Sequence, residues 1–301
     1  MTMYVNRHNT HILLGFEYHA PASVTEAVKL LDNYGSEAKV LAGGTDLIVK
    51  MKDGSMRPKH VVNLKWIQGL SGIRERRDGV WIGALTKLRD IERSELVQKR
   101  LPVLYEAVRM IGSVQIRNLA TLGGNICNAS PAADGPVALL ALDAKAHITG
   151  PSGERTVDLD SFFTGPGRTI LSQGEILTGV TVPRSAAGGY GCFLRVARVS
   201  MDIATISLAA SAKLKGGTVE DCRLAWGTVA PTPMRTRDVE EFLRGKKLDE
   251  KVISDAAELA SKSIQPRERG RSSGPYKRKV AYGFTVEALT RIAESGGRNR
   301  R

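Results

Sequence analysis

Two glycine-rich turns are the residues of this chain whose types and spacing point most clearly to chemistry. Residues 42–46 read Ala-Gly-Gly-Thr-Asp, and residues 121–125 read Thr-Leu-Gly-Gly-Asn. Adjacent glycines accept positive φ and have no Cβ, so consecutive backbone N–H groups can converge on an anion. We therefore expect two backbone anion sites that together hold one diphosphate.

The first turn lies between a candidate strand and a candidate helix. Residues 40–42 are typical of the end of a buried strand, and Leu47, Ile48 and Met51 have the spacing of a short helix. A phosphate held by this turn would lie at a helix N-terminus. Since a charge-assisted hydrogen bond contributes about 1.5–3 kcal/mol, four or five aligned amides suffice to hold a dinucleotide. The alternative is that both turns are structural, because Gly-Gly pairs are common between strands and loops.

Other nucleotide-binding signatures are absent from the sequence. No glycine-rich segment ends in Gly-Lys-Ser/Thr, and none has the G-x-G-x-x-G pattern followed by an acidic ribose ligand. Gly165-Pro166-Gly167 lacks the third glycine, and its proline removes an amide donor, so we interpret it as a loop.

Residues 112–134, with the sequence GSVQIRNLATLGGNICNASPAAD, resemble the FAD-binding subunits of molybdenum hydroxylases. This family includes the medium subunits of aerobic carbon monoxide dehydrogenase and bacterial xanthine dehydrogenase, and the beta subunit of 4-hydroxybenzoyl-CoA reductase. The resemblance extends from about Gly15 to Leu289. Further ordered matches are the first glycine turn and residues 16–21, 139–144, 162–167, 174–177, 201–204 and 227–233.

The resemblance implies a set of flavin-binding residues. It implies an acidic FAD contact at Asp134, an apolar residue near the flavin at Leu177, Arg195 where relatives often have lysine, and Ile111 where eukaryotic xanthine dehydrogenases have an aromatic side chain. It also implies two pyrophosphate loops, comprising Val40, Leu41, Ala42, Gly43, Gly44, Thr45, Asp46 and Leu47, and Thr121, Leu122, Gly123, Gly124 and Asn125. From the residues alone, Asp134 could equally cap a following helix, and Arg195 could be a surface charge on a strand.

Some positions depart from patterns within the family. The first turn reads Gly-Gly-Thr-Asp where the carbon monoxide enzymes resemble Gly-Gly-His-Ser, and residues 162–167 favour the xanthine or nicotinate type. Residues 133–136 lead directly into a candidate helix, where relatives of the 4-hydroxybenzoyl-CoA reductase type insert a cysteine-bearing loop for an iron–sulfur cluster. We therefore expect no iron–sulfur cluster in this subunit and assign no metal ligands to it.

The resemblance implies an electron-transfer subunit whose chemistry belongs to a non-covalently bound FAD. A large subunit would transform the substrate at a molybdenum cofactor, and a small subunit with two [2Fe-2S] clusters would relay electrons. This subunit would pass them from FAD to NAD, a quinone, ferredoxin or oxygen, within a dimer of heterotrimers. Two alternatives stay open: a stand-alone FAD reductase of the UDP-N-acetylenolpyruvoylglucosamine reductase type, and a basic nucleic-acid-binding protein.

Length, composition and charge are consistent with a globular flavoprotein. The 301 residues are 42% hydrophobic, enough for a sizeable core and two domains. The formal net charge is +13, and residues 265–301 contain ten Lys/Arg against three Asp/Glu. Because this stretch lacks interleaved stacking aromatics and a recognisable reader motif, we expect a solvated or partner-facing surface and no nucleic acid.

Targeting and metal-site patterns are weak. No apolar run reaches transmembrane length, residues 1–11 lack a signal-peptide core, and three isolated cysteines suit a reducing compartment, so we expect a cytoplasmic protein. His8 and His11 have the spacing of a helical metal pair but lie in a polar leader, residues 1–14, where we expect disorder. His60 and His147 fall in apparent strands, where we expect ordinary packing or surface roles.

The pattern of elements predicts an α+β protein. The resemblance implies that residues 15–187 form a two-part FAD-binding domain of the vanillyl-alcohol-oxidase (PCMH) type, with subdomains of about 15–70 and 71–187. After a Gly188-Gly189 linker, residues 190–295 are expected to form an α+β domain with a small antiparallel sheet and helices, and residues 296–301 a basic tail.

Individual elements follow from periodicity and turn signals. Ser23 and Glu26 form a capping box for a helix that Gly35 ends. The pattern predicts strands at 60–64, 79–85 and 145–149, a hairpin of 207–214 with 219–229 joined through Gly216-Gly217, and helices at 101–111, 276–292 and after Arg235 and Leu248.

Overall fold

A computed structural model describes residues 13–268 and 272–298 of the chain. The described residues form three sheets of three to five strands and one two-stranded ribbon, with helices between them. The predicted α+β class, with an antiparallel sheet in the C-terminal part, is confirmed. Within the described ranges, no helix combines the length and the apolar character that crossing a membrane requires.

The first sheet is parallel and has the strand order β1-β3-β2. Its strands are β1 at Glu17–His19, β2 at Ala38–Leu41 and β3 at His60–Asn63, with helix α1 at Val24–Tyr34 and helix α2 at Leu47–Lys52. The Ser23 side chain accepts a hydrogen bond from the Glu26 amide, and Gly35, with a φ of 52°, ends α1. The cap by Ser23 and the end at Gly35 are confirmed, but Glu26 Oε2 accepts from the Ala22 amide at 2.9 Å instead of the Ser23 amide, so the capping box is only half formed. The first glycine turn connects the carboxyl end of β2 to α2.

The second sheet is antiparallel and has the order β4-β5-β10-β6-β7. Its strands are β4 at Ile73–Glu75, β5 at Gly79–Gly83, β6 at Lys145–Gly150, β7 at Gly153–Asp158 and β10 at Ile176–Pro183, while β8 at Phe163–Gly165 and β9 at Arg168–Thr169 form a separate ribbon. Strand β5 is buried along its whole length. Its end at Gly83 leads to Ala84, against which the second glycine turn packs.

A run of short helices fills the segment between β5 and β6. They are α3 at Leu88–Arg93, α4 at Glu95–Arg100, α5 at Pro102–Arg109, α6 at Val114–Leu119, α7 at Leu122–Cys127 and α8 at Asp134–Ala141. Ser113 and Thr121 cap α6 and α7 by accepting from the amides three residues later. All eight residues of α8 are buried, so this helix is the centre of the main core.

The third sheet is antiparallel, with the order β11-β12-β13-β14. Its elements are β11 at Tyr190–Val196, β12 at Ile206–Lys215, β13 at Thr218–Gly227, β14 at Met234–Arg235, α9 at Arg237–Leu243, α10 at Glu250–Ser263 and α11 at Gly274–Arg298. Alternate residues face opposite cores: Phe193 packs with α5 and α8, whereas Leu194 packs in the core under α9–α11. The predicted hairpin through Gly216 and Gly217 is confirmed, and both glycines have positive φ.

The two ends of the chain differ from the sequence predictions or lie outside the structure. Helix α11 continues through Gly296 to Arg298, so the tail predicted from residue 296 is wrong at its start. A Cβ on Gly296 would lie 2.5 Å from Leu214 Cδ1, which shows that the end of α11 is docked on β12. The leader histidines His8 and His11, and residues 299–301, lie outside the described residues.

Candidate functional site

A cleft of about 430 Å³ lies between the first sheet and the helices that precede α8. Both glycine turns line it. The residues from the implied flavin-binding set that line the cleft are Val40, Ala42, Gly43, Gly44, Thr45, Asp46, Leu47, Ile111, Thr121, Gly123, Gly124, Asn125 and Leu177. Leu41, Leu122, Asp134 and Arg195 are not on its wall. The structure therefore brings together most of a set whose members lie up to 137 positions apart in sequence.

The first turn presents unused backbone donors. The amides of residues 43–47 donate no hydrogen bond to any described residue, and the helical pattern starts with Ile48 N donating to Gly44 O at 3.0 Å. Gly44 has a φ of +77°, a left-handed conformation that strains any residue with a Cβ. A run of free amides at a left-handed glycine is suited to an anionic group such as a diphosphate.

The second turn differs from the expectation of a second amide site. Its amides are already used: those of Leu122, Gly123, Gly124 and Asn125 donate to Thr86 O, Ala84 O, Thr121 Oγ1 and Thr121 O at 2.7–3.1 Å. A Cβ on Gly123 would lie 2.7 Å from Ala84 O, so this glycine is needed for packing against the end of β5. The second turn is the capped start of α7, and it offers side chains rather than free amides to the cleft.

The first turn lies against the backbone that immediately precedes the second turn. A Cβ on Gly43 would lie 2.2 Å from Leu119 O and 2.8 Å from Ala120 Cα, in the segment that leads into the second turn. Only a glycine permits this approach without a backbone shift. Gly43 therefore sets the distance between the two walls of the cleft.

Asn128 joins the two walls through side chains. Its Nδ2 donates to Asp46 Oδ1 at 3.0 Å, and its Oδ1 accepts from Lys50 Nζ at 3.0 Å. All three residues line the cleft, and the bonds connect α2 to the end of α7. Sequence reasoning missed Asn128 and Lys50. Their partners are about 80 residues away along the chain, so local spacing carries no signal for them.

Asn125 carries an unsatisfied polar atom at the cleft. Its Oδ1 is buried and has no hydrogen-bond partner among the described residues. A Cβ on Gly135 would lie 2.4 Å from this atom, so a glycine is required beside it. Because a buried polar atom without a partner costs about 1–3 kcal/mol, a bound group with a donor at this point would be stabilised.

Arg117 fixes the loop that carries Ile111. The guanidinium is buried, donates from Nε to Glu92 Oε2 at 2.9 Å, and donates from NH1 to the carbonyls of Ile111 and Gly112 at 3.0 and 3.2 Å. Ile111 lies on the cleft wall. This arginine, which sequence reasoning also missed, therefore holds one side of the cleft in position.

Asp134 and Arg195 form a buried ion pair behind the cleft. Their side chains are 5% and 4% exposed, and Arg195 NH1 donates to Asp134 Oδ2 at 2.8 Å and to Met110 O at 2.5 Å. The pair contradicts both alternative roles: Arg195 is not a surface charge, and α8 has Ala133 rather than Asp134 at its N-cap. Burial raises the pKa of Asp134 to about 7, with Arg195 acting in the opposite direction. Asp134 Oδ1 has no partner among the described residues.

Comparison with known proteins gives the family of this chain. A protein-family model described as the FAD binding domain in molybdopterin dehydrogenase matches residues 14–185, and one described as the CO dehydrogenase flavoprotein C-terminal domain matches residues 192–292. The chain belongs to the FAD-binding subunits of molybdenum hydroxylases. It is therefore an oxidoreductase flavoprotein subunit with FAD as its cofactor.

Individual relatives of this FAD-binding subunit match over nearly its whole length. The carbon monoxide dehydrogenase medium chain of Hydrogenophaga pseudoflava is 39% identical, over 91% of this chain and 96% of that protein. The glyceraldehyde dehydrogenase medium chain of Sulfolobus acidocaldarius is 37% identical, over 92% of this chain and 98% of that protein. Among solved structures, a carbon monoxide dehydrogenase of Hydrogenophaga pseudoflava lacking the Mo-pyranopterin moiety of its molybdenum cofactor has a TM-score of 0.89 at 39% identity, covering 93% and 98% of the two chains.

Proposed function

We propose that this subunit transfers electrons from the [2Fe-2S] clusters of a partner subunit, through FAD held in the cleft, to a final acceptor. The observation that carries the proposal is the row of free amides at residues 43–47, in a turn that lines the same cleft as the second turn. The domain division we propose is the one predicted from the sequence, with residues 15–187 binding FAD and residues 190–295 forming the C-terminal domain.

The residues of the cleft fit FAD. The amides of the first turn match the charge of the diphosphate, and the unsatisfied Oδ1 of Asn125 matches a ligand donor. Bound FAD supplies the ability to take electrons singly and to release them singly or in pairs. Lys50 adds a positive charge at the first turn, where it also bonds to Asn128.

The remaining residues of the implied set form or support the wall of the cleft. Ile111 and Leu177 supply apolar wall, and the loop of Ile111 is held by Arg117. We propose that the Asp134–Arg195 pair, instead of contacting FAD directly, supports the start of α8 next to Gly135 and Asn125. A charge pair this deeply buried is costly unless both members stay paired, so it fixes one arrangement of β11 and α8.

The proposed assembly contains a large subunit with a molybdenum cofactor and a small subunit with two [2Fe-2S] clusters, as a dimer of heterotrimers in the cytoplasm. Relatives that act on carbon monoxide and on glyceraldehyde match this chain at similar identity. Similarity of this subunit therefore does not select a substrate, and we propose none. The candidate acceptors are NAD, a quinone, ferredoxin and oxygen.

Reoxidation kinetics test the electron-transfer role. The FAD-loaded chain is reduced with dithionite without oxygen and mixed with NAD, menadione, oxidised ferredoxin or oxygen, while absorbance near 450 nm is followed. We expect one acceptor to restore the absorbance much faster than the others. In a second experiment, the [2Fe-2S] partner subunit is obtained by co-expression of the neighbouring genes, reduced with dithionite and mixed with the oxidised FAD-loaded chain. The proposal is wrong if the partner subunit does not reduce the flavin.

A further inference from the structure

Three side chains with metal-ligand chemistry meet at the rim of the first sheet, away from the cleft. Glu17 and His19 are two positions apart on β1 and therefore face the same side of the sheet. The parallel register of β1 and β3 pairs Glu17 with His60, which places the His60 side chain on that side too. None of the three residues lines the cleft.

The distances between their ligand atoms match a single small ion. His19 Nε2 lies 3.1 Å from His60 Nδ1, His60 Nδ1 lies 3.3 Å from Glu17 Oε2, and His19 Nε2 lies 3.9 Å from Glu17 Oε2. The point equidistant from the corners of this triangle is about 2.0 Å from each atom, within the range of Zn²⁺ bonds to histidine nitrogen and carboxylate oxygen. The three ligand atoms therefore already have the spacing that such an ion requires.

The two imidazoles are held in place by packing. Their side chains are 18% and 12% exposed, and the Tyr34 ring at the end of α1 stacks against both, with centroids 5.1 Å from His19 and 3.7 Å from His60. The Glu17 side chain is 71% exposed and approaches from solvent. Two fixed imidazoles and one solvent-side carboxylate leave a fourth position open to water, as in zinc sites with three protein ligands.

We propose that Glu17, His19 and His60 bind one divalent transition-metal ion, with Zn²⁺ as the best match. The ion ties the three-residue strand β1 to β3 and so anchors the start of the described chain to the first sheet. A mutual hydrogen bond between the histidines is the competing explanation of the 3.1 Å distance, and it predicts no bound metal. The site does not depend on the proposed flavin role.

The test uses the full chain, loaded with FAD and produced without a polyhistidine tag. After chelator treatment, the protein is dialysed against about 10 µM Zn²⁺, and metal and FAD are measured on the same samples. We expect one zinc per chain. Glu17→Gln and His19→Gln should each weaken zinc binding at least about tenfold and leave the FAD content unchanged. Because Glu17 is largely exposed, Glu17→Gln tests the site without risk to the fold.

Two controls make the result specific. His147→Gln alters a strand histidine that bonds to Thr181 outside the cluster, and it should leave the zinc content unchanged. Co²⁺ loaded in place of zinc should give the visible absorption of a four- or five-coordinate ion, which Glu17→Gln should change. The proposal is overturned if the wild-type chain retains no zinc, if Glu17→Gln and His19→Gln retain as much as wild type, or if His8→Gln with His11→Gln removes the metal instead. The FAD measurement separates any of these failures from a failure of the flavin proposal.

Discussion

Replacing Gly43 with alanine tests whether the contact between the first turn and residues 119–120 shapes the flavin cleft. The new Cβ would lie 2.2 Å from Leu119 O, whereas real Cβ atoms essentially never come closer than 3.0 Å to another heavy atom. The obstacle is backbone on both sides, so no side chain can rotate away. The first turn and the residue 119–120 segment must therefore separate by about 1 Å.

The cost can be estimated from overpacking. Inserting a methyl group into a close-packed contact typically costs about 1–3 kcal/mol. If this strain displaces the amides of residues 43–47 from the diphosphate, FAD binding weakens by a factor of about 5 to 150. If the strain is already present in the flavin-free protein, it lowers the free energy of unfolding instead. The FAD affinity and the free energy of unfolding therefore both have to be measured.

The assay is a fluorescence titration of flavin-free protein with FAD, together with urea unfolding of the same samples. Gly283→Ala is the matched control, because a Cβ there meets no atom within 4 Å and Gly283 lies in helix α11, outside the cleft. We expect this control to bind FAD like wild type and to unfold at the same or slightly higher urea concentration. If Gly43→Ala binds FAD within about twofold of wild type and is equally stable, the cleft is not set by this contact.

Three further results are expected. Asn128→Leu removes the bonds to Asp46 and Lys50 and should weaken FAD binding about tenfold in the same titration, and an unchanged affinity would show that this link is dispensable. Arg195→Met leaves Asp134 buried without its cation and should lower the free energy of unfolding by about 3–5 kcal/mol in urea, while Arg195→Lys should lose less; equal losses would contradict a role for the charge. Burial raises the pKa of Asp134 in the folded chain to about 7, above its ordinary value of 3.8. Between these two pH values the folded chain keeps the proton while the unfolded chain has lost it. The contribution of Asp134 to stability is therefore largest below about pH 4 and declines as the pH rises through about 7. Urea unfolding at a series of pH values should therefore show wild type losing stability relative to Asp134→Asn over this range, and parallel profiles would refute the shifted pKa.

Features encoded by neighbouring residues could be predicted from the sequence. The capping of α1 by Ser23, its end at Gly35 and the hairpin through Gly216-Gly217 each depend on a few adjacent positions. The ends of elements were less predictable because they depend on distant contacts. Helix α11, for example, continues past the predicted end at residue 292, where Gly296 lies against Leu214 of β12.

The glycines of the second turn do not predict whether its backbone amides are free or already hydrogen-bonded. Both turns have the same Gly-Gly pattern, yet only the first keeps free amides. The difference arises because Ala84 and Thr86, more than 35 residues earlier, supply carbonyls to the second turn. Local sequence shows that a glycine is required, but not whether the reason is a ligand or a neighbouring strand.

Side-chain contacts between distant segments were also missed. Asn128 meets Asp46 and Lys50 only through the packing of α7 near α2. His19 meets His60 only through the parallel register of β1 and β3, across 41 positions. Parallel strands are joined through long connections, so their register is not encoded in adjacent residues.

The most direct test of the central claim is the visible absorption spectrum of the purified chain after incubation with FAD and desalting, with the released cofactor identified after denaturation. We expect retained bands near about 375 and 450 nm that dithionite bleaches, and FAD as the released compound. A colourless protein that retains no FAD, even together with its partner subunits, would contradict the assignment of the cleft.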